Sequence, residues 1–194
     1  LFSRQHKRGG AWMNECMIRH KEESEKIVLP VAYLICNFSS PVGEKPSFLT
    51  FEEVTTLFHE FGHGLQHMLT EVDSAHCSGI RGVEWDAVEL PSQFMENWCY
   101  HHDTLKDISS HYQSHEPLPD HLINSLCKKQ KFLSGLHTLR QVQLGLIDLE
   151  LHDHYLEKGQ HPNAFLFQKS IKEKTSVLAP LKEDYSLCSF SHIF

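Results

Sequence analysis

Two histidines and a glutamate near the middle of the chain have the residue types and the spacing of a hydrolytic metal site. His59 and His63 are four residues apart, so on a helix both imidazoles project from one face and can reach one metal ion. Glu60 projects about 100° further around the helix, where its carboxylate can approach a water without binding the ion. That carboxylate can take the water's proton and pass it to a leaving amine. The pattern therefore indicates zinc-assisted hydrolysis of a peptide-like bond.

A catalytic zinc keeps three protein ligands and one open position, so the two histidines need a third partner. Glu89 is the third ligand that we predict, because it lies on the next predicted helix, after a loop that contains glycines. Two antiparallel helices joined by that loop can bring its carboxylate to the ion. The expected cofactor is one zinc ion per chain, although similar ligands also accept manganese or cobalt.

The simplest alternative explanation of this pattern is a solvated helix face, because the chain contains 16 histidines. The apolar neighbours of the motif favour a site instead, since they predict a largely buried helix; they are Leu57, Phe58, Phe61 and Leu65. Gly62 and Gly64 flank His63, and a glycine inside a helix is costly unless a neighbouring helix or a substrate approaches closely. This context, together with Glu89, favours a metal site.

Three further polar residues lie near the predicted ligands. His67 continues the histidine stripe, and we interpret it as a neighbour of the site or a surface residue rather than as a ligand. Asp86 and Gln93 lie about one turn on either side of Glu89, so one of them is a candidate acceptor for the outer N–H of a ligand histidine. Both are equally consistent with ordinary polar side chains.

The elements that must position these residues begin with a capping box formed by Thr50 and Glu53. Apolar residues at helical spacing follow it and predict a helix over residues 51–69, which carries both histidines. A second helix is predicted over residues 84–100 and carries the third ligand. Pro91 lies either inside that helix, at a cost of about 3 kcal/mol, or in its first turn, where proline is tolerated.

The remaining segments complete a mainly α protein with a small β portion near the N-terminus. Residues 27–36 are apolar and β-branched and predict one buried strand interrupted by a proline. Residues 119–158 are rich in helix formers, and residues 163–174 predict a further short helix. The length suits one domain or a large piece of one. Because the chain begins with Leu1 rather than methionine, we expect that it is excised from a longer protein.

The composition argues against two classes of partner. The net charge is −7 and no long basic run is present, which excludes a nucleic-acid partner, because phosphate binding needs clustered lysines and arginines. The most apolar run has about ten residues, which is too short to span a bilayer, so no membrane partner is predicted. The six cysteines form no Cys-x-x-Cys pair, and we interpret them as reduced thiols of a cytoplasmic protein. No pattern indicates an oligomeric state.

Two longer segments resemble one known family of peptidases. Residues 58–64 (FHEFGHG) and residues 82–98 (GVEWDAVELPSQFMENW) are similar to the thimet oligopeptidase (M3) family of zinc metallopeptidases, in particular to its bacterial oligopeptidase A branch. Residues 7–12 and 36–38 also resemble family segments, so the similarity extends along almost the whole chain. The two long motifs are far more specific than the five-residue zinc signature.

The resemblance implies a mostly helical, zincin-type fold with a deep channel that admits short unstructured peptides and excludes folded proteins. It implies endopeptidase cleavage of short oligopeptides in the cytosol, with those peptides as the partners of the protein. His59, His63 and Glu89 match the positions of the family's zinc ligands, and Glu60 matches the family's general acid/base.

The sequence departs from the family pattern at both ends. The family uses a histidine followed by tyrosines that stabilise the oxyanion. His192 matches that histidine, or is merely a frayed terminal residue, but the chain stops at Phe194 before any such tyrosines. The N-terminal helical half is absent too, so we interpret residues 1–194 as a partial zinc-peptidase catalytic domain. Because loss of one oxyanion donor costs about 2.7–4 kcal/mol, we expect an active full-length protein and a weak or inactive piece.

Three alternatives remain. The first is a truncated pseudopeptidase that binds metal without catalysis, which the missing tyrosines favour. The second is a histidine-rich metal buffer, suggested by His101-His102 and by His152 and His154, which would bind several ions per chain rather than one. The third is a Cys-His hydrolase with Cys99 as the nucleophile, for which the sequence offers no supporting arrangement.

Overall fold

The computed structural model describes residues 7, 9–153, 155, 163–190 and 193. The chain divides into two compact units, Leu1–Leu126 and Cys127–Phe194. Short strands occupy the N-terminal part of the first unit, and helices make up most of the rest of the described residues. The predicted mainly α fold with a small β portion near the N-terminus is therefore confirmed.

Four short strands form two separate antiparallel pairs, one between β1 and β4 and one between β2 and β3. Their bounds are Trp12–Met17 for β1, His20–Lys21 for β2, Ile27–Val28 for β3 and Val31–Ile35 for β4. The prediction of one buried strand over residues 27–36 is wrong. Pro30 has no N–H to donate to a strand ladder, and it separates β3 from β4. The side chain of Leu29 is also largely exposed.

Helix α1, Phe51–Met68, matches the predicted helix to within one residue at its C-terminal end. Its capping box is present, because the Glu53 amide donates to Thr50 Oγ1 at 3.2 Å and the Thr50 amide donates to Glu53 Oε2 at 2.7 Å. This reciprocal pair satisfies two backbone donors that the first turn would otherwise leave unpaired. The start of the helix that carries both histidines is therefore determined locally.

The face that α1 buries is polar and glycine-rich, which differs from the prediction. Its buried residues are Glu60, Gly62, His63, Gly64 and His67. Among the apolar neighbours that were expected to be buried, Phe61 is 39% exposed and the others are only partly buried. The helix packs this polar face against β1, β4 and the helix that follows. Tertiary packing thus buries polar side chains that could bind a metal ion or transfer a proton.

The predicted second helix over residues 84–100 is shorter than expected. Residues 86–89 form turns, α2 spans Leu90–Glu96, and a 3-10 helix covers Asn97–Tyr100. Pro91 lies in the first turn of α2, where its missing N–H has no helical partner to lose. This position corresponds to the second of the two placements considered for the proline.

Gly62 allows α1 and α2 to cross at very short range. A Cβ atom at this position would lie 2.5 Å from the Pro91 carbonyl oxygen and 2.6 Å from the Ser92 Cα. Both distances are far inside van der Waals contact, so no other residue fits without displacing the α2 backbone. At Gly64, a Cβ would lie 3.3 Å from a methyl group of Leu34 in β4. The close helix crossing that the glycines suggested is therefore present at Gly62.

We expect Gly62→Ala to destabilise the protein by about 1–3 kcal/mol, the usual cost of overpacking a core. Gly145→Ala is the matched control, because Gly145 lies inside a helix and a Cβ there meets no atom within 4 Å. The control should stabilise the protein by about 0.5–1 kcal/mol, since alanine is the better helix former. Urea unfolding of both variants tests this pair, and equal stability of Gly62→Ala and the wild type would contradict the close crossing.

Further helices complete the described chain. Helix α3 spans His102–Ile108, α4 spans Asp120–Lys129, α5 spans Ser134–Asp153 and α6 spans Ala164–Thr175. The helical stretch predicted over residues 119–158 is therefore divided between α4 and α5, and residues 154 and 156–158 lie outside the described part. The predicted short helix over residues 163–174 is confirmed, with Asn163 as its N-cap: Oδ1 accepts from the Phe165 amide at 2.8 Å.

The second unit has its own apolar cluster, in which α5 and α6 pack together. The cluster consists of Ile147, Phe167, Ile171 and Ile193. Beside it, the buried ammonium of Lys172 pairs with Asp184, and this contact lowers the pKa of the Asp184 carboxyl to about 2. Within the residues that the structure describes, no helix combines the length and the apolar character needed to cross a membrane.

Candidate metal centre

Three side chains from two parts of the first unit meet at one point. Glu89 Oε2 lies 3.1 Å from His59 Nε2 and 3.2 Å from His63 Nε2. The two imidazole rings have centroids 5.0 Å apart and are nearly perpendicular, at 81°. Within the described ranges, this is the one group of three metal-ligating side chains, with donor atoms within 4.8 Å of one another. The structure thus brings together the three residues that were predicted as ligands.

The spacing of these donor atoms suits a zinc-sized ion. Donors bound tetrahedrally at about 2.0–2.1 Å from one ion lie about 3.3 Å from each other, close to the distances of 3.1 and 3.2 Å from Glu89. Two imidazole nitrogens and one carboxylate oxygen also form the type of ligand set that a catalytic zinc uses. The residues present therefore fit the metal that the motif predicts.

The hydrogen bonding of His59 strengthens the case for a cation. Its Nδ1 lies 2.6 Å from Glu96 Oε1, and because a carboxylate only accepts, Nδ1 carries the hydrogen. In a neutral ring the Nε2 atom then presents a lone pair, and it faces the lone pairs of Glu89 Oε2 at 3.1 Å. Two acceptors at this distance repel each other unless a positive charge lies between them. The geometry thus supplies a place for a cation.

Glu89 reaches the histidines from an unexpected position. It was predicted to lie on the second helix, but it is the N-cap residue of α2, just before the first helical residue. The hydroxyl of Ser92, which is fully buried, donates to Glu89 Oε2 at 2.7 Å. This is the same oxygen that lies beside the two histidine nitrogens, so the bond helps to hold it there. Its side chain is 51% exposed, so the packing around it does little to hold it.

Glu96 is the residue near the histidines that the sequence interpretation missed. Asp86 and Gln93 were the expected acceptors for the outer nitrogen of a ligand histidine, but both are exposed and Glu96 accepts from His59 instead. A carboxylate in this position fixes the tautomer of the ring and raises its basicity as a ligand. The spacing could have revealed it, because residues seven apart return to the same helix face after two turns.

We expect Glu96→Gln to weaken zinc binding about 10–100-fold, because the amide oxygen is a weaker partner for the His59 Nδ1 hydrogen than the carboxylate. Chelator competition measures this affinity directly. Glu84→Gln is the matched control, since Glu84 is an exposed glutamate in the turn before the site. If both variants bound zinc as tightly as the wild type, the assigned role of Glu96 would be wrong.

Glu60 lies beside the histidines in the same cavity and is only 5% exposed. The other walls of the cavity come from Ala11, Trp12, Met13, Ile80 and Val88. Burial raises the pKa of the Glu60 carboxyl, the charge of Glu89 raises it further, and His59 opposes both. Its Oε2 atom is buried without a hydrogen-bond partner among the described residues. A dehydrated carboxylate with an unpaired oxygen is well suited to accept a proton from a reacting water.

Burial also acts on His63. It lowers the pKa of the imidazole, while the neighbouring carboxylate of Glu89 opposes the shift. A lowered pKa keeps the ring unprotonated near neutral pH, and only an unprotonated ring nitrogen can bind a metal ion. Burial of this face of α1 therefore favours the form of His63 that can bind a metal ion.

The predictions for the other histidines and for Cys99 as a nucleophile compare with the structure as follows. His67 is fully buried rather than at the surface. His192, the predicted catalytic histidine, lies outside the described residues, as does His154. Cys99 is fully buried and burial raises its pKa, which makes its thiol a poor nucleophile and argues against a Cys-His hydrolase.

The chain is similar in sequence to proteins of one known family. The sequence profile of peptidase family M3 matches residues 1–194. The chain is 51% identical over 191 residues to the organellar oligopeptidase A of Arabidopsis thaliana, covering 97% of this chain and 24% of that protein. It is 47% identical over 194 residues to the oligopeptidase A of Haemophilus influenzae, covering 100% of this chain and 28% of that protein. The chain thus spans about a quarter of the length of the curated relatives it matches.

Proposed function

We propose a function from one premise: this chain belongs to peptidase family M3. The proposal is that the full-length protein is a zinc-dependent endopeptidase that hydrolyses short oligopeptides, and that this chain carries its metal centre. The observation that carries the proposal is the convergence of His59 Nε2 and His63 Nε2 on Glu89 Oε2, at 3.1 and 3.2 Å. In a neutral His59 the unprotonated Nε2 faces a carboxylate oxygen, and a metal cation between the two atoms would remove their repulsion.

Each residue of the centre has a distinct proposed task. His59, His63 and Glu89 would hold the zinc ion, and Glu96 would keep the His59 ring in the tautomer that binds. Zinc, when bound, would polarise the scissile carbonyl and make a water more acidic. Glu60 would take a proton from that water on its unpaired Oε2 and deliver it to the leaving amine.

The substrate class and the compartment are proposed from the relatives. Several relatives are named oligopeptidases, among them a probable cytosolic oligopeptidase A of Arabidopsis thaliana that is 51% identical to this chain. We therefore propose short peptides as the substrates. None of the six cysteines forms a disulfide, which suits a reducing compartment such as the cytosol.

His192 is proposed as a further catalytic residue on the basis of the family resemblance alone. The 194-residue chain by itself is proposed to hydrolyse peptides weakly or not at all, since it spans about a quarter of the length of its relatives. The second candidate function is a pseudopeptidase that binds metal without catalysis. The raised pKa and the unpaired oxygen of Glu60 favour a catalytic role over that alternative.

The experiment that tests the proposal combines metal analysis with peptide hydrolysis. The full-length protein should contain about one zinc ion per chain and should cleave a quenched-fluorescent peptide of about ten residues. Removal of zinc with a chelator should abolish cleavage, and added zinc should restore it. Bound zinc without any cleavage would support the pseudopeptidase, and cleavage by the metal-free protein would refute the mechanism. Repeating the restoration with manganese and cobalt would identify the preferred metal.

A further inference from the structure

His67 is a fully buried histidine that lies one helical turn beyond His63 and has no role in the proposed chemistry. Both of its ring nitrogens have backbone partners. Nε2 lies 2.8 Å from the Met17 carbonyl oxygen, and the Ile80 amide donates to Nδ1 at 3.4 Å. Because a carbonyl only accepts, Nε2 carries the hydrogen and Nδ1 keeps its lone pair for the Ile80 amide. A single tautomer therefore satisfies both contacts.

These two contacts join three segments that are distant in the sequence. His67 belongs to α1, Met17 ends β1, and Ile80 lies in the connection between α1 and α2, residues 69–89. Gly79 packs directly on the ring, because a Cβ there would lie 2.4 Å from His67 Nδ1. Its φ of +66° also suits glycine rather than a residue with a side chain. The connection is thus shaped to lie against this imidazole.

A second contact ties the same connection to β1 one residue further along. Arg81 Nε and Nη2 donate to Glu15 Oε1 at 2.9 and 2.5 Å. Two donors of one guanidinium on one carboxylate define both the distance and the angle between the segments. Residues 80 and 81 of the connection are therefore held on one side by His67 and on the other by Glu15.

The segments joined in this way are walls of the metal centre. Met13 of β1 and Ile80 of the connection line the cavity that contains Glu60 and Glu89. Glu89 ends the connection as the N-cap of α2, where its carbonyl accepts from the Gln93 amide at 3.0 Å, and its side chain is half exposed. Its place next to the histidines consequently depends on where the connection runs as well as on the contact with Ser92.

We propose that His67 is a positioning residue for the metal centre: by holding the 69–89 connection against β1, it places Glu89 within reach of the two ligand histidines. This inference rests on the proposed function, since it assumes that the three side chains bind one zinc ion. The competing view is that His67 only fills space and satisfies polar groups in the core.

The test compares two variants that lose stability for different reasons. His67→Phe keeps a ring of similar size but leaves the Met17 carbonyl and the Ile80 amide unpaired. Ile123→Ala opens a cavity at a fully buried residue of the same unit that is not among the residues lining the metal centre. We expect both to lower the midpoint of urea unfolding, and only His67→Phe to weaken zinc binding in chelator competition, by about 10–100-fold. The absorption spectrum of the cobalt-substituted protein should also change in His67→Phe alone.

Two further variants keep the proposal testable if His67→Phe does not fold. His67→Gln offers both an N–H donor and a carbonyl acceptor, and it should recover part of the affinity that His67→Phe loses. Arg81→Gln breaks the second tie at a side chain that is 43% exposed, so the fold should survive while zinc binding weakens to a smaller extent. Wild-type zinc affinity in all three variants would overturn the role of His67. A wild-type protein that binds neither zinc nor cobalt would instead overturn the proposed function.

Discussion

Glu60→Gln is expected to lower the rate of peptide hydrolysis by the full-length protein about 10²–10⁴-fold, the usual contribution of a general acid/base. Zinc content and zinc affinity should stay at the wild-type level, because Glu60 is not among the three converging ligands. Steady-state assays with a quenched-fluorescent peptide, paired with metal analysis of the same samples, measure both quantities.

The stability of Glu60→Gln separates a catalytic role from a structural one. Glu60 is 5% exposed and one of its oxygens has no partner among the described residues, so its charge is costly to bury. A neutral amide of the same shape should therefore leave the unfolding midpoint unchanged or raise it. If Glu60 were needed for structure, Glu60→Gln would lower the unfolding midpoint.

Glu52→Gln is the matched control for this experiment. Glu52 lies on the same helix, two turns before Glu60, and its side chain is exposed. Its replacement changes the net charge by the same amount without touching the cavity. Hydrolysis by Glu60→Gln at the rate of Glu52→Gln would show that another group handles the proton, and the proposed mechanism would have to be abandoned.

Glu89→Gln is expected to reduce bound zinc from about one ion per chain to nearly none after dialysis, because a catalytic zinc site needs three protein ligands. Hydrolysis should be lost together with the metal. Folding should be little affected, since the side chain is half exposed and the amide can still accept from the Ser92 hydroxyl. Metal analysis by mass spectrometry and circular dichroism of the same sample provide the two readouts.

Asp86→Asn is the matched control for Glu89→Gln. Asp86 is an exposed acid three residues earlier, in the turn that leads to α2. The Asp86→Asn substitution removes one negative charge near the metal centre but leaves all three predicted ligands in place. Zinc content should remain at the wild-type level in this variant. Stoichiometric zinc in both variants would mean that Glu89 is not a ligand, despite its distance of 3.1 Å from His59 Nε2.

The sequence alone predicted the elements whose signals are local. The capping box at Thr50 and Glu53 and the apolar spacing behind it determine α1, and these signals act over one or two helical turns. The spacing of His59 and His63 places both rings on one face for the same reason. Asn163 caps the start of α6, which is a contact within one helical turn. The motif residues that resemble a known peptidase family were recognised in the same way, because they are contiguous in the chain.

Other features depended on contacts between distant segments, and the local spacing carried no information about them. The burial of the polar face of α1 follows from packing against β4 and α2, while apolar Phe61 faces outward. The choice of Glu96 over Asp86 and Gln93 as the partner of His59 depends on where α2 begins, which Pro91 and the crossing at Gly62 decide.

The metal centre combines features that the sequence determines locally with features that depend on tertiary contacts. Helical periodicity, a property of neighbouring residues, was sufficient to place His59 and His63 together. The position of Glu89 depends on a connection of 21 residues, 69–89, whose course is set by contacts such as those of His67 with Met17 and Ile80. Because such contacts join residues separated by 13 to 50 positions, only the tertiary structure decides them.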